Sequence, residues 1–259
     1  MPFAELKDVR MHYEVSGPAG GPVLVFSNSL GTDLSMWDEQ AAEFAKKYRV
    51  VRYDKRGHGQ SSAPAGPYTI EMLGRDWVAL LDFLDIDKAD FCGLSIGGQT
   101  GMWLGVNAPQ RLKKLALCNT AAKIGTQEGW KTRIDAVNAG GVKSVVDVVL
   151  ERWFTFEFRA SHEAEVTPVR EALERADIAG YVACCAAVRD FDYRDKVSAI
   201  RAPTLVISGT HDPAASPKDG RWLAEQIPGA RFVELNASHI SNIEAREQFT
   251  AELRQFLAA

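Results

Sequence analysis

Long apolar runs are missing from this sequence: none approaches the ~20 consecutive apolar residues that a membrane-spanning helix needs. The segment Met1-Pro2-Phe3-Ala4-Glu5-Leu6-Lys7-Asp8 carries charges where a signal peptide would need its apolar stretch, so a cytoplasmic location is expected. A large excess of one charge is missing too. Lys and Arg number 30 against 34 Asp and Glu, for a net charge of −4, and the basic residues are scattered. Such a chain has neither the electrostatic footprint of a nucleic-acid binder nor the basic amphipathic face of a membrane-surface protein. Cysteine is scarce: Cys92 and Cys118 sit in apolar strand-like runs, and Cys184 and Cys185 are adjacent, a spacing that rarely pairs. No Cys/His cluster has metal-ligand spacing, so free buried thiols and no metal are expected. Internal repeats and low-complexity tracts are also lacking, which excludes a solenoid.

What remains is a chain of 259 residues, 46% hydrophobic and 25% charged, enough for one large core. Short, nearly continuous apolar runs recur at Val23–Phe26, Val50–Tyr53, Phe91–Leu94, Leu115–Cys118, Leu205–Ser208 and Phe232–Leu235. That pattern suits strands buried on both faces of a parallel sheet. Two earlier segments, Phe3–Val9 and Met11–Val15, alternate in character and predict an antiparallel hairpin at the sheet edge. Helical signals fill the gaps. Thr69 can cap a helix whose Ile70, Leu73, Trp77, Leu80, Leu81 and Leu84 share one face. Ser216-Pro217 opens another, and a last helix is expected over Glu244–Leu257. The order predicts an α/β fold with a doubly wound, mostly parallel sheet.

One interval breaks the rhythm. From Cys118 to Thr204 no buried strand is evident, and aromatic residues gather at Trp130, at Trp153-Phe154 with Phe156 and Phe158, and at Tyr181. This predicts an all-helical lid over residues 121–199, inserted after the sixth strand into a core made of 1–120 and 200–259. Ligands of open α/β sheets bind at the carboxyl edge that such a lid would cover.

Gly93-Leu94-Ser95-Ile96-Gly97 follows a strand and precedes a helical stretch, the context in which Gly-x-Ser-x-Gly forms a sharp elbow presenting a nucleophilic serine. A serine needs a base, and the base needs an acid to hold its tautomer. With this elbow the order along the chain is serine, acid, histidine. His239 follows the last strand and Asp212 the one before it, so both reach the edge where Ser95 lies. His162 falls among glutamates in the lid, His211 adjoins Asp212, and the other possible acid position holds Asn119, which lacks the charge to stabilise an imidazolium. The backbone N–H groups of Leu30, in the loop after the strand at 23–26, and of Ile96 are the candidate oxyanion donors. The turn Asp54–Ser61, His58 included, reads as structural support for that loop.

With these marks assembled, the chain resembles the α/β-hydrolase superfamily over nearly its whole length. More narrowly it is similar to the 3-oxoadipate enol-lactonases, through Ser27–Trp37, Leu117–Ala122, Ile207–Asp212 and Ala237–Ile243. Asn28-Ser29 departs from the superfamily's usual His-Gly and fits that subgroup. The resemblance implies an ester hydrolase of the β-ketoadipate pathway of aromatic catabolism, without organic cofactor, opening a small lactone that carries a carboxylate. Arg133 is the candidate partner of that carboxylate, one helical turn from Trp130 on the same face, and Trp153 is a candidate pocket wall. A carboxylesterase or cofactor-free perhydrolase with the same triad is the rival reading, and a receptor with a vestigial triad a more distant one. Oligomeric state is not legible.

Overall fold

The apolar runs pair into one sheet of eight strands. A computed structural model describes residues 2–259, with strands β1 (Phe3–Glu5), β2 (Arg10–Ser16), β3 (Val23–Ser27), β4 (Arg49–Tyr53), β5 (Ala89–Leu94), β6 (Leu112–Cys118), β7 (Thr204–Gly209) and β8 (Arg231–Leu235). Their spatial order is β1-β2-β4-β3-β5-β6-β7-β8. The hairpin β1–β2 is antiparallel, with Phe3 opposite His12, and β2 runs antiparallel to β4. All other pairings are parallel. Every residue of β5 and of β7 is buried, as their unbroken apolar character requires when helices cover both faces.

The helices are α1 (Asp38–Phe44), α2 (Ile70–Phe83), α3 (Ile96–Asn107), α4 (Gln127–Gly140), α5 (Val146–Trp153), α6 (Phe156–Ser161), α7 (Glu163–Glu174), α8 (Ile178–Asp190), α9 (Pro217–Gln226), α10 (Ser241–Glu244) and α11 (Arg246–Ala258). The Thr69 hydroxyl accepts the Met72 N–H at 3.1 Å and starts α2. That helix buries Ile70, Leu73, Trp77, Leu80 and Leu81, and the Trp77 ring meets Phe91 of β5 edge-on at 5.6 Å. Ser216 and Asp219 form a reciprocal capping box around Pro217 at the start of α9.

The last helix closes the chain close to the expected span of roughly 244–257, at Arg246–Ala258, and the difference is a break at its start. A short turn, α10, precedes α11, and Ala245 between them has non-helical backbone angles. The cause is tertiary. Ser241 donates its hydroxyl to Asn119 at 2.5 Å, and the Asn242 amide donates to the Met36 carbonyl at 2.7 Å. These bonds hold α10 against the core at an angle that α11 does not continue.

Between β6 and β7 the chain forms α4 to α8 and no strand. This helical segment lies at the carboxyl ends of the parallel strands, where the loops after β3, β5, β6, β7 and β8 also meet. No helix among the described residues is long and apolar enough to cross a membrane.

Candidate active site

Ser95 stands between β5 and α3 at φ 59°, ψ −116°, in the half of backbone space that residues with a side chain avoid. Holding it there costs on the order of 1–3 kcal/mol, and the surroundings enforce it. The Ser95 N–H donates to the Cys118 carbonyl at 2.9 Å. Its carbonyl accepts from the Thr120 hydroxyl at 2.8 Å. Small neighbours are compulsory: a Cβ on Gly93 would lie 2.3 Å from the Gly97 carbonyl oxygen, and one on Gly97 would lie 2.4 Å from that of Ser27. The second contact brings the start of α3 against the end of β3. Ile96 is the first residue of α3, where a helix leaves its N–H groups without intrahelical acceptors and presents a positive end.

Asp212 and His239 meet from the loops after β7 and β8. His239 Nδ1 lies 2.8 Å from Asp212 Oδ2, with both side chains buried. The same Oδ2 accepts from Asn119 Nδ2 at 3.1 Å, while Oδ1 accepts the N–H groups of Ala214 at 2.8 Å and Ala215 at 3.0 Å. The carboxylate is thus held on every side, and a charged acceptor so surrounded fixes the ring it faces. Asn119 is itself fixed. Its backbone sits at φ 45°, its amide also donates to the Ser238 carbonyl at 3.1 Å, and its oxygen accepts from Ser241.

The loop after β3 is braced from behind by the turn at 54–61. Asp54 accepts the N–H groups of Leu34 at 2.8 Å and Gln60 at 2.9 Å and lies 2.7 Å from His12 Nδ1. Gly31 donates its N–H to His58 Nε2 at 2.8 Å. That nitrogen must carry a lone pair, which agrees with a neutral ring: burial and the Lys55 charge push the His58 pKa well below its ordinary value. Arg56 pairs with Asp76 of α2 through two bonds of 2.6 Å.

A cavity of about 560 Å³ opens between this edge and the helical segment. Ser95, His239, Leu30, Trp130, Arg133 and Trp153 all line it, together with Ser29, Val148, Val149, Arg152 and Ala214. Asp212 lies behind His239 and Ile96 faces the core, so neither side chain contributes to the wall. Arg133 packs its guanidinium over the Trp130 ring at 5.1 Å, and the Trp130 indole donates to the Ile124 carbonyl at 2.7 Å. Burial pushes the Tyr181 phenol up from its ordinary value and the nearby Arg133 charge pulls it part of the way back. Among the described residues neither Arg133 nor Arg152 has a carboxylate partner. No group of three or more His, Cys, Asp or Glu among them is arranged to hold a metal ion.

Comparison with known proteins decides the family. A sequence model of the alpha/beta hydrolase fold matches residues 22–141. Over 94% of this chain and 91% of the relative, the sequence is 44% identical to 3-oxoadipate enol-lactonase 2 of Acinetobacter baylyi. The chain belongs to the 3-oxoadipate enol-lactonase family of α/β hydrolases. A second A. baylyi member, 3-oxoadipate enol-lactonase 1, is 41% identical over 91% of this chain and 88% of its own length. The enol-lactonase from Burkholderia xenovorans LB400 superimposes with a TM-score of 0.98 at 46% identity, covering all of both chains.

Within this enol-lactonase fold, two residues of consequence escape a reading of the sequence. Asn119 is noticeable there only as a residue that cannot act as an acid, yet it is hydrogen-bonded to Asp212. Arg152 lines the cavity beside Trp153, but nothing in its local pattern sets it apart from a solvated helix residue. The other histidines lie elsewhere. His162 is exposed at the start of α7 and stacks on Phe158 at 4.4 Å, and His211 contacts Asn236 at 3.0 Å on the surface.

Proposed function

We propose that this enzyme hydrolyses 3-oxoadipate enol-lactone to 3-oxoadipate through an acyl-enzyme on Ser95, a late step in the catabolism of aromatic compounds by the β-ketoadipate route. The observation that carries the reading is a single cavity into which a strained serine, an aspartate-held imidazole and two arginines without carboxylate partners converge.

In this reading Ser95 Oγ attacks the lactone carbonyl while His239 Nε2 takes its proton, and Asp212 holds the ring with Nε2 turned to the serine. Negative charge develops on the carbonyl oxygen, which the N–H groups of Leu30 and Ile96 accept. Collapse breaks the bond to the ring oxygen. The leaving group is an enol, protonated by His239, and it relaxes to the ketone while still tethered to the acyl chain. A water deprotonated by His239 then attacks the acyl carbon, Ser95 recovers its proton, and a dicarboxylate departs. Arg133, supported by Trp130 and opposed by Trp153, meets the carboxylate that the lactone already carries. Arg152 sits on the same wall and suits the second carboxylate that the reaction creates.

The residues at 121–199 act as the lid over a core of 1–120 and 200–259, and the four free cysteines fit a reducing cytoplasm. The test compares turnover of the enol-lactone with that of p-nitrophenyl acetate. A kcat/KM higher for the lactone by at least ~10² is expected, since a guanidinium in the cavity wall that meets a carboxylate discriminates against an ester lacking one. A preference for the simple ester would replace this substrate with neutral esters.

A further inference from the structure

Of the backbone donors that the loop after β3 leaves over, the Leu30 N–H is the one in the cavity wall. Ser29 N–H donates to Met36 Sδ at 3.3 Å, Gly31 N–H to His58 at 2.8 Å and Thr32 N–H to the Ser29 carbonyl at 3.4 Å. The Leu30 N–H has no acceptor among the described residues. The carbonyl of the same peptide is the opposite case. Ser29 O accepts from Lys55 Nζ at 2.6 Å and from the Thr32 hydroxyl at 3.0 Å, in addition to the Thr32 N–H.

The Ser29–Leu30 peptide is trans, so its C=O and N–H point to opposite sides. Lys55 is 3% exposed and stands outside the cavity wall, whereas Ser29, Leu30 and Ser95 all belong to that wall. Drawing the carbonyl toward Lys55 therefore turns the N–H toward the cavity. We propose that Lys55 is a positioning residue which, through its bond to Ser29 O, holds the Ser29–Leu30 peptide in the one orientation that offers the Leu30 N–H to the oxyanion. It acts through the backbone and does not touch the substrate. The proposal rests on the acyl-enzyme reading above and adds to it the part that keeps the hole formed.

The choice of a lysine supports this. Burial pulls the Lys55 pKa down to about 8, against the opposing pull of Cys184, Asp54 and Asp33. A buried ammonium is costly, and an apolar side chain of similar length would stabilise the site better. A charged donor kept at such a position makes a stronger bond to the carbonyl than a neutral one would, which is what an otherwise reversible peptide orientation requires.

Lys55→Met separates this role from simple structural support. In the full-length variant Tm should match or exceed the wild type, KM should stay within about threefold, and kcat should fall by ~10²-fold, the scale of losing one oxyanion donor. Affinity for phenylboronic acid, which forms a tetrahedral adduct on the serine, should weaken by a similar factor. An unchanged kcat, or a kcat loss with boronate affinity intact, overturns the proposal. If Lys55→Met does not fold, Thr32→Val decides, because it removes the second side-chain donor to the same carbonyl, a hydroxyl whose one other contact is Met36 Sδ at 3.0 Å. A kcat drop of about fivefold, with a matching loss of boronate affinity, is expected from one hydrogen bond, and unchanged kcat overturns the proposal. Ser95→Ala runs beside both. Activity surviving in it brings down the acyl-enzyme reading itself, whereas an inactive Ser95→Ala beside a fully active Lys55→Met removes only the role of Lys55.

Discussion

The sheet edge and the helical segment facing it are built on different terms. At the edge, the acid and the groups that support it are buried and hydrogen-bonded: Asp212 accepts four bonds, and Asn119, Asp54 and His58 are fixed by partners from other loops. On the facing helices, α4 buries only Val137, and its Trp130 and Arg133 stack on each other, with a single indole bond to the Ile124 carbonyl. The edge is over-determined and the helices are not. Chemistry that needs placement within fractions of an ångström belongs on the first, and selection among substrates on the second.

Substitutions at the edge should accordingly cost turnover, and those on the helices affinity. The largest loss belongs to Ser95→Ala, which should lower kcat by at least ~10⁴-fold while leaving Tm near the wild type. Retained turnover in that variant would remove the nucleophile. Asp212→Asn should follow, with kcat reduced by about 10³–10⁴-fold at neutral pH, because the amide cannot hold His239 in the required tautomer. A KM change without a kcat change would place Asp212 outside the proton relay. Asn119→Leu should be milder. It leaves the carboxylate one donor short and the Ser241 hydroxyl without its acceptor, for about a tenfold loss of kcat; stopped-flow acylation rates equal to wild type would deny Asn119 any hold on the acid.

The same contrast explains what could be read from residues alone. The strands were legible because burial on both faces demands unbroken apolar runs, as in Phe91–Leu94 and Leu205–Ser208. The elbow was legible because Gly93 and Gly97 are where a side chain would strike backbone, and the pair Asp212 and His239 followed from strand register. Asn119 and Lys55 were opaque for a common reason. Their importance lies in partners 93 and 26 positions away in sequence, which no local pattern encodes, and a lysine in a glycine-rich turn has every local mark of a solvated residue. The break at Ala245 was hidden likewise, since propensity favours a continuous helix and only the bonds of Ser241 and Asn242 oppose it.

On the helical side, Arg133→Ala should raise KM for the lactone by about tenfold, with kcat changed little and KM for p-nitrophenyl acetate unaffected. An equal rise for both substrates would reduce Arg133 to a packing residue. Arg152→Ala should give a smaller KM effect, because its exposure to water screens the charge. Weaker inhibition by the dicarboxylate product in Arg152→Ala, as measured in progress curves, would assign it to the second carboxylate; unaltered product inhibition would exclude it.

The two regions are nevertheless tied at one point. Half-buried Glu244 accepts the Thr155 N–H at 3.0 Å and the Thr155 hydroxyl on one oxygen, and the Ser238 N–H at 2.7 Å on the other. The Ser238 hydroxyl reaches the Arg152 carbonyl at 2.8 Å, and the Ile240 N–H reaches that of Trp153 at 3.0 Å. The end of α5 and the loop carrying His239 are therefore one stitched unit, whereas α4 packs mainly against α8. Glu244→Gln tests this with minimal change of shape. Whichever way the amide turns, its NH₂ faces an N–H donor, so one bond is lost and a donor is left without a partner, a cost of about 1–3 kcal/mol. Because Ser238 precedes His239, kcat should fall several-fold along with Tm. A variant that loses Tm yet keeps kcat would mean that the histidine is held by Asp212 alone and that the two regions work independently.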